Sequence, residues 1–499
     1  MKVYQYILIS LFLVATSCTK IDEDIYSGIP IDKYPENEDQ VSSLSVTAYN
    51  YLKPLIDDDG WWYLAQEVSS DEMVFPTRDT DWDDGGKWRV MHEHNWTNDV
   101  EGVNRMWEKF WEGISNINKL IEVRLMSLPQ DESIEKQIKQ VETLRGFFYY
   151  LLLDNYGDVP YLSTFVNAPE LPTKLPRVQV FDSVVTNLEN NLPDLKKIDR
   201  KNMATRYMAH ALLAKLYLNA EVYTGTPNWE KAEDYIDSVL NGPFSLANDV
   251  LAPFVTENQN NSEIIFAIPY DENNYQGFRL HMRTLHYQHD ETYKMTNGPW
   301  NGGAVMPEHF ELYDSNDARL SYFIYGPQFD IEGKPIIESS TKLPLNISPE
   351  IPDIKMNSND HTQEQIKTSG ARIGKYEIKT GAKENLSNDF VLFRLTDFIL
   401  MKAEVELRKN GVVSNGTLEL VNKIRERANV AEFTAIELTL DKLLEERGRE
   451  LFAEGHRRQD LIRFGKWEGS WEWKEIKDES YRTFPIPKWA TDANPNLLK

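Results

Sequence analysis

Residues 206–243, RYMAHALLAKLYLNAEVYTGTPNWEKAEDYIDSVLNGP, are the first of several signals that together constrain the architecture of this chain. Small Ala211, Ala214 and Ala220 alternate with large Leu212, Leu216 and Leu218, and a Gly-Thr-Pro turn leads into a second segment carrying Trp229, Ala232, Ile236 and Leu240. Apolar residues at steps of three and four specify a helix, and small ones let two helices approach closely. Residues 393–430, FRLTDFILMKAEVELRKNGVVSNGTLELVNKIRERANV, repeat the arrangement, with Gly411 and Gly416 read as the break. The same period predicts helices over about 37–56, 100–126, 131–155 and 177–193. Met106, Phe110, Ile114, Ile117 and Ile121 form the apolar stripe of the second. The third is apolar on most sides towards its end, as a helix inside a bundle must be, and Gly157 and Pro160 stop it.

Between about 244 and 392 the character changes. SEIIFAIPY reads as a strand, and the stretch from Asn297 to Gly370 is dense in Pro, Gly and Asn. The expected fold is therefore mainly α: a helical-repeat frame over about 37–243 and 393–465, carrying a loop-rich insertion with short strands. Each helix pair resembles a tetratricopeptide unit. Long irregular loops on rigid frames commonly carry binding.

The N-terminus sets the compartment. MKVYQYILISLFLVATSC has Lys2, an apolar run from about Ile7 to Ala15 and then small residues, a secretory leader too short to be a comfortable spanning helix. Ala15-Thr16-Ser17-Cys18 resembles a bacterial lipobox, which makes residues 1–17 the leader, Cys18 the lipidated residue and 18–36 an acidic tether. Cys18 is the only cysteine, so the chain has no internal disulfide. A formal net charge of −25 argues against nucleic acid or bare anionic lipid as partner, whereas 13 Trp and 24 Tyr supply rings beyond the needs of a core.

LRGFFYYLLLDNYGDVPY, SEIIFAIPY, FRLTDFILMKAE, VNKIRERA, EERGRELFAEGHRRQDLIRFG and FPIPKWATDANPNL follow one another here in the order found in the SusD/RagB family, which the whole chain resembles. The resemblance implies a surface-exposed lipoprotein of the outer membrane that captures a glycan, sometimes a peptide, as the lid of a SusC-like TonB-dependent transporter barrel. It implies binding without catalysis, metal or cofactor. Arg145, Tyr156 to Pro160, and Glu446, Arg447, Glu450, Glu454, Arg457, Arg458 and Asp460 look like framework; charges three and four apart on a helix usually form ladders. The alternatives are a peptide- or glycopeptide-importing scaffold and a surface glycosidase.

The richest candidate stretch is 69–97, SSDEMVFPTRDTDWDDGGKWRVMHEHNWT. As a calcium loop starting at Asp79 it puts Asp84 at position six and Val90 at twelve; starting at Asp81 it puts His92 at twelve, so neither register supplies the bidentate Glu. What stays open is a non-standard calcium site of two or three carboxylates plus carbonyls in the 79–85 loop. His92-Glu93-His94 has no evident third zinc ligand and reads as structural. A sugar-facing loop needs only rings and polar groups on a glycine-softened turn, since pyranose C–H faces lie against aromatic rings while polar side chains satisfy the hydroxyls. The candidates are Asp71, Arg78, Trp82 and Trp88, with Trp96 behind; Trp88 and Trp96 read equally as core plugs. Of the adjacent pair Trp61 and Trp62, at most one can face a ligand. Tyr287 and Trp300 join from RTLHYQHDETYKMTNGPWNGG in the insertion.

Overall fold

The structure, a computed structural model, describes residues 38–57 and 59–499. The leader, Cys18 and the acidic tether lie outside the described residues. The chain divides into two units, 1–44 and 45–499, and the second holds the helical frame and the insertion.

Its helices are α1 (Trp62–Val68), α2 (Lys87–His92), α3 (Glu101–Lys119), α4 (Glu132–Tyr156), α5 (Arg177–Asn191), α6 (Arg206–Leu218), α7 (Trp229–Leu240), α8 (Leu395–Asn410), α9 (Asn415–Arg427), α10 (Leu440–Leu451) and α11 (Arg457–Arg463). Of these, α3 to α9 fall where the periodicity puts helices, whereas the helix expected over 37–56 is α-helical only over Glu38–Val46 and continues as 3₁₀ turns over Thr47–Tyr51 and Lys53–Ile56. Asp131 caps α4 by accepting from the Ile134 amide at 2.9 Å, and Gly157 ends it in the left-handed region at φ 73°. From Thr143 to Tyr156 every α4 residue is buried, as a helix packed on all sides requires. Gly113 of α3 lets α4 approach closely: a Cβ there would sit 2.7 Å from the Phe148 ring. The helix expected to reach 126 ends at Lys119 and continues as π and 3₁₀ turns to Ser127. Gly416 does not break its pair; it lies in the first turn of α9, while Gly411 at φ 73° terminates α8. The two pairs, α6/α7 and α8/α9, stack through contact of α7 with α8, so the frame is a tetratricopeptide-like helical repeat.

SEIIFAIPY forms strand β1 (Ile264–Ile268), antiparallel to β2 (Phe390–Arg394), with every residue of both buried. This pair closes the loop-rich insertion at its base, so the chain leaves and re-enters the frame at one place. Two short pairings then tie the insertion to the early loop: Met73–Val74 against Ala304–Val305, and Thr77–Arg78 parallel to Lys355–Met356.

Below the insertion lies a buried ion-pair network rather than a surface ladder. Arg394 reaches Glu263 (2.7 Å), Glu450 (3.0 Å) and Glu454 (2.7 Å); Arg319 reaches Asp317, Glu446 and Glu450; Lys375 pairs with Glu454 at 2.5 Å. Arg447 holds Asp397 and Asp460, and Arg458 holds Asp154. These charges come from the insertion, β2, α4, α8, α10, α11 and the turn after α10 together. Burying a charge is costly, so each is tolerated only because its partners are fixed, and the network locks the insertion onto the C-terminal helices.

Candidate functional site

The early loop and the insertion together present three half-buried rings: Trp82, Tyr287 and Trp300. Residues 300–302 are laid on the short Leu280–Thr284 helix by backbone bonds from Trp300 to Met282, Asn301 to Leu285 and Gly302 to Arg283. Trp82 is fastened to this strip, its Nε1 donating to the Trp300 carbonyl at 2.7 Å. Behind it the ring packs on Phe75 (5.1 Å between centroids) and Trp88 (5.7 Å). The Tyr287 hydroxyl donates to Asp81, which also lies 3.7 Å from the Lys367 ammonium. Arg279 and Arg283 hold their guanidinium carbons 5.8 and 5.4 Å from the Trp300 ring. Burial and the neighbouring Asp81 carboxylate raise the Tyr287 pKa, so this hydroxyl stays protonated at neutral pH.

Backbone strain gathers here. Asp79 (φ 64°), Trp82 (φ 60°), Asp84 (φ 40°) and Asn301 (φ 53°) all adopt left-handed conformations that side chains rarely tolerate. The surrounding bonds over-determine them. Asp83 pairs with Arg89 at 2.9 Å, Asp84 accepts from Trp88 Nε1 at 2.7 Å, and Asp79 accepts from the Ser358 hydroxyl at 3.3 Å. Each acid of the stretch thus braces a ring or a loop. Among the described residues, no group of three or more His, Cys, Asp or Glu side chains is placed to hold a metal.

Three expected contacts belong to the framework instead. Arg78 is fully buried and donates to the carbonyls of Gly302, Ile366 and Ser369, tying both sides of the loop; burial draws its pKa down to about 10. Trp88 is 2% exposed and stacks between Trp61 (4.7 Å) and Phe75 (4.3 Å), so it supports the surface from beneath. Asp71 is bound at both oxygens by Arg457, at 2.6 and 2.7 Å; burial alone would raise its pKa, but Arg457 holds it below the usual carboxylate value. Trp61, Trp62 and Trp96 are buried too. His92 and His94 are structural, bonded to the carbonyls of Val68, Glu472 and Ser69. Arg279 and Arg283 over the Trp300 ring and Lys367 over the Tyr287 ring were not among the sequence candidates, and no local pattern marks them.

Next to Trp300 opens a cleft of about 950 Å³ with Lys53, Tyr275, Arg279, Asn297 and Asn385 in its walls.

Comparison with known proteins places the fold. Residues 262–499 match the model described as SusD family, and residues 86–213 match one described as starch-binding associating with outer membrane. The starch-binding protein SusD of Bacteroides thetaiotaomicron is 25% identical over 425 residues, covering 74% of this chain and 73% of that protein. A SusD superfamily protein from Parabacteroides distasonis shares the fold with a TM-score of 0.74 at 19% identity, covering 92% of this chain and 98% of that one. Surface glycan-binding protein A from Bacteroides thetaiotaomicron, solved in complex with laminarihexaose, shares it with a TM-score of 0.72 at 22% identity, covering 91% and 97%.

Proposed function

We propose a function from one premise: this chain belongs to the SusD/RagB family. It captures a glycan on the surface formed by Trp82, Tyr287 and Trp300, and breaks no bond in doing so. The observation that carries this reading is the ring trio itself. Three half-buried aromatic residues, two far from the third in sequence, are linked through hydrogen bonds of Trp82 to the Trp300 carbonyl and of Tyr287 to Asp81, the neighbour of Trp82. A sugar face stacks on a ring, and Asp81, bonded to Tyr287 and close to Lys367, stands beside it to meet a hydroxyl. Affinity is modest, because ordering a flexible glycan costs free energy.

Lipidation at Cys18 would tether the protein to the outer membrane, facing the cell surface, as substrate-capture lid of a SusC-like TonB-dependent transporter barrel. Family membership and the starch-binding and glycan-binding relatives support this reading. The experiment is a panel of soluble glycans and of peptides presented to protein lacking the leader, with detergent extraction from native membranes alongside. Glycan binding and co-purification of an outer-membrane barrel are expected. Binding of peptides alone would favour the peptide-importer reading, and a protein that always runs alone would refute the lid.

A further inference from the structure

Resting on the glycan reading, we infer that the cleft beside Trp300 is a second carbohydrate subsite, contiguous with the ring surface, through which the protein favours longer chains over short ones. The two places share a wall. Arg279 lines the cleft and also lies over the Trp300 ring, while Asn297 lines it three residues before Trp300. A chain stacked on Trp300 therefore has the cleft as its next stop. At about 950 Å³ the cleft is large enough for a ligand of drug size or more, typical clefts being ~300–1,000 Å³.

Its chemistry suits an uncharged polyhydroxyl ligand. The lining carries Lys53, Arg279 and Lys383 against Asp57, Asp59, Glu272 and Glu384, and much of that charge is already paired. Arg279 binds Asp57 (2.5 Å) and Glu384 (3.3 Å), Lys383 binds Glu272 (3.3 Å), and Asp59 lies 3.4 Å from Lys109. What remains is hydrogen-bonding capacity and a ring. The half-buried Tyr275 donates its hydroxyl to Asn50 Oδ1 at 3.0 Å, and Asn385 Oδ1 accepts from the Gly277 amide at 2.9 Å. Both asparagines thereby keep their Nδ2 amides unengaged among the described residues. The Lys53 ammonium, 5.1 Å from the Tyr275 ring, likewise has no carboxylate partner there. A planar ring flanked by fixed amide donors is what a pyranose needs, and a strongly anionic sugar would meet the carboxylates.

The test is calorimetric titration with malto- and laminari-oligosaccharides of two to eight units, using wild type, Tyr275→Ala, Asn385→Ala and Trp82→Ala. Wild-type affinity should rise with length by roughly tenfold, the size expected from one added stacking contact. Tyr275→Ala should abolish that rise and leave the shortest bound ligand unaffected, with a smaller loss for Asn385→Ala; Trp82→Ala should weaken every length alike. Length-independent affinity with Tyr275→Ala silent overturns the subsite and leaves the ring-surface reading standing. Equal losses at all lengths for Tyr275→Ala overturn it too, since they mark a structural effect. No binding by any ladder overturns both.

Discussion

Replacing Gly302 with Ala probes the ring surface without removing a ring. A Cβ at this position would lie 2.3, 2.4 and 2.6 Å from Trp82 Cε2, Cζ2 and Cδ2. Carbon atoms pack at ~3.5–4.0 Å, so the indole must withdraw by roughly 1 Å. It cannot retreat inwards, because Phe75 and Trp88 close the space behind it. Nor does the Gly302 backbone itself demand glycine, since its φ is not left-handed. The ring therefore tilts outwards and gives up its bond to the Trp300 carbonyl. Folding should cost about 1–3 kcal/mol for the overpacking. Glycan binding should weaken by about 1–3 kcal/mol for the misaligned stack, or roughly 5- to 150-fold in Kd. Titration calorimetry beside a thermal melt measures both, with Gly416→Ala, whose Cβ meets nothing within 4 Å, as the neutral control. Unchanged affinity in a variant whose Trp82 indole resonance has plainly moved would refute the reasoning.

Arg394→Met should destabilise the fold by about 3–5 kcal/mol in denaturant titration, because Glu263, Glu450 and Glu454 are left as buried charges short of a partner; a loss below about 1 kcal/mol would contradict the network. Stability should fall in acid: burial would raise Glu450 and Asp460, but their arginine partners hold both at about 2, so the stability they add is present above their unfolded pKa values of roughly 4 and is lost as pH falls towards 2. Glu67, which burial raises beside the equally buried Glu72, has the opposite sign: its contribution is present below roughly pH 4 and is lost as pH rises through its raised value. Glu67→Gln should flatten the neutral-to-alkaline side of a melting profile and leave the acid side alone; a profile unchanged on both sides would count against the assignment. Cys18→Ala should release the protein from the membrane fraction and abolish labelling by fatty-acid analogues, and continued retention would remove the anchor.

The helical frame was legible because 3.6-residue periodicity is local: Met106, Phe110, Ile114 and Ile117 are all buried where the pattern put them. The site was legible only by region. Residue types marked 69–97 and 283–303 as ring-rich, and the structure ties the two stretches together through the Trp82 bond to the Trp300 carbonyl and the Tyr287 bond to Asp81. Sequence could not separate Trp82 from Trp88, six residues on, because a stack such as Phe75–Trp88–Trp61 is settled by tertiary packing. Arg78 and Asp71 were misread for the same reason: a charge beside tryptophans looks like a ligand contact until its buried partners, Gly302 and Ile366 or Arg457, are known. Lys367 reaches the Tyr287 ring from a distant part of the chain, and Arg279 lies over Trp300 from 21 residues upstream; no local spacing announces either.

The most direct test of ring-based recognition is titration of the best-binding glycan into wild type, Trp82→Ala, Trp300→Ala and Asp83→Ala, each with and without excess EDTA. The ring surface predicts binding that survives the chelator, weakens by about 1–3 kcal/mol on loss of either ring, and changes less in Asp83→Ala. Binding abolished by EDTA, with both tryptophan variants unaffected, would show that the acids and a metal, not the rings, hold the ligand.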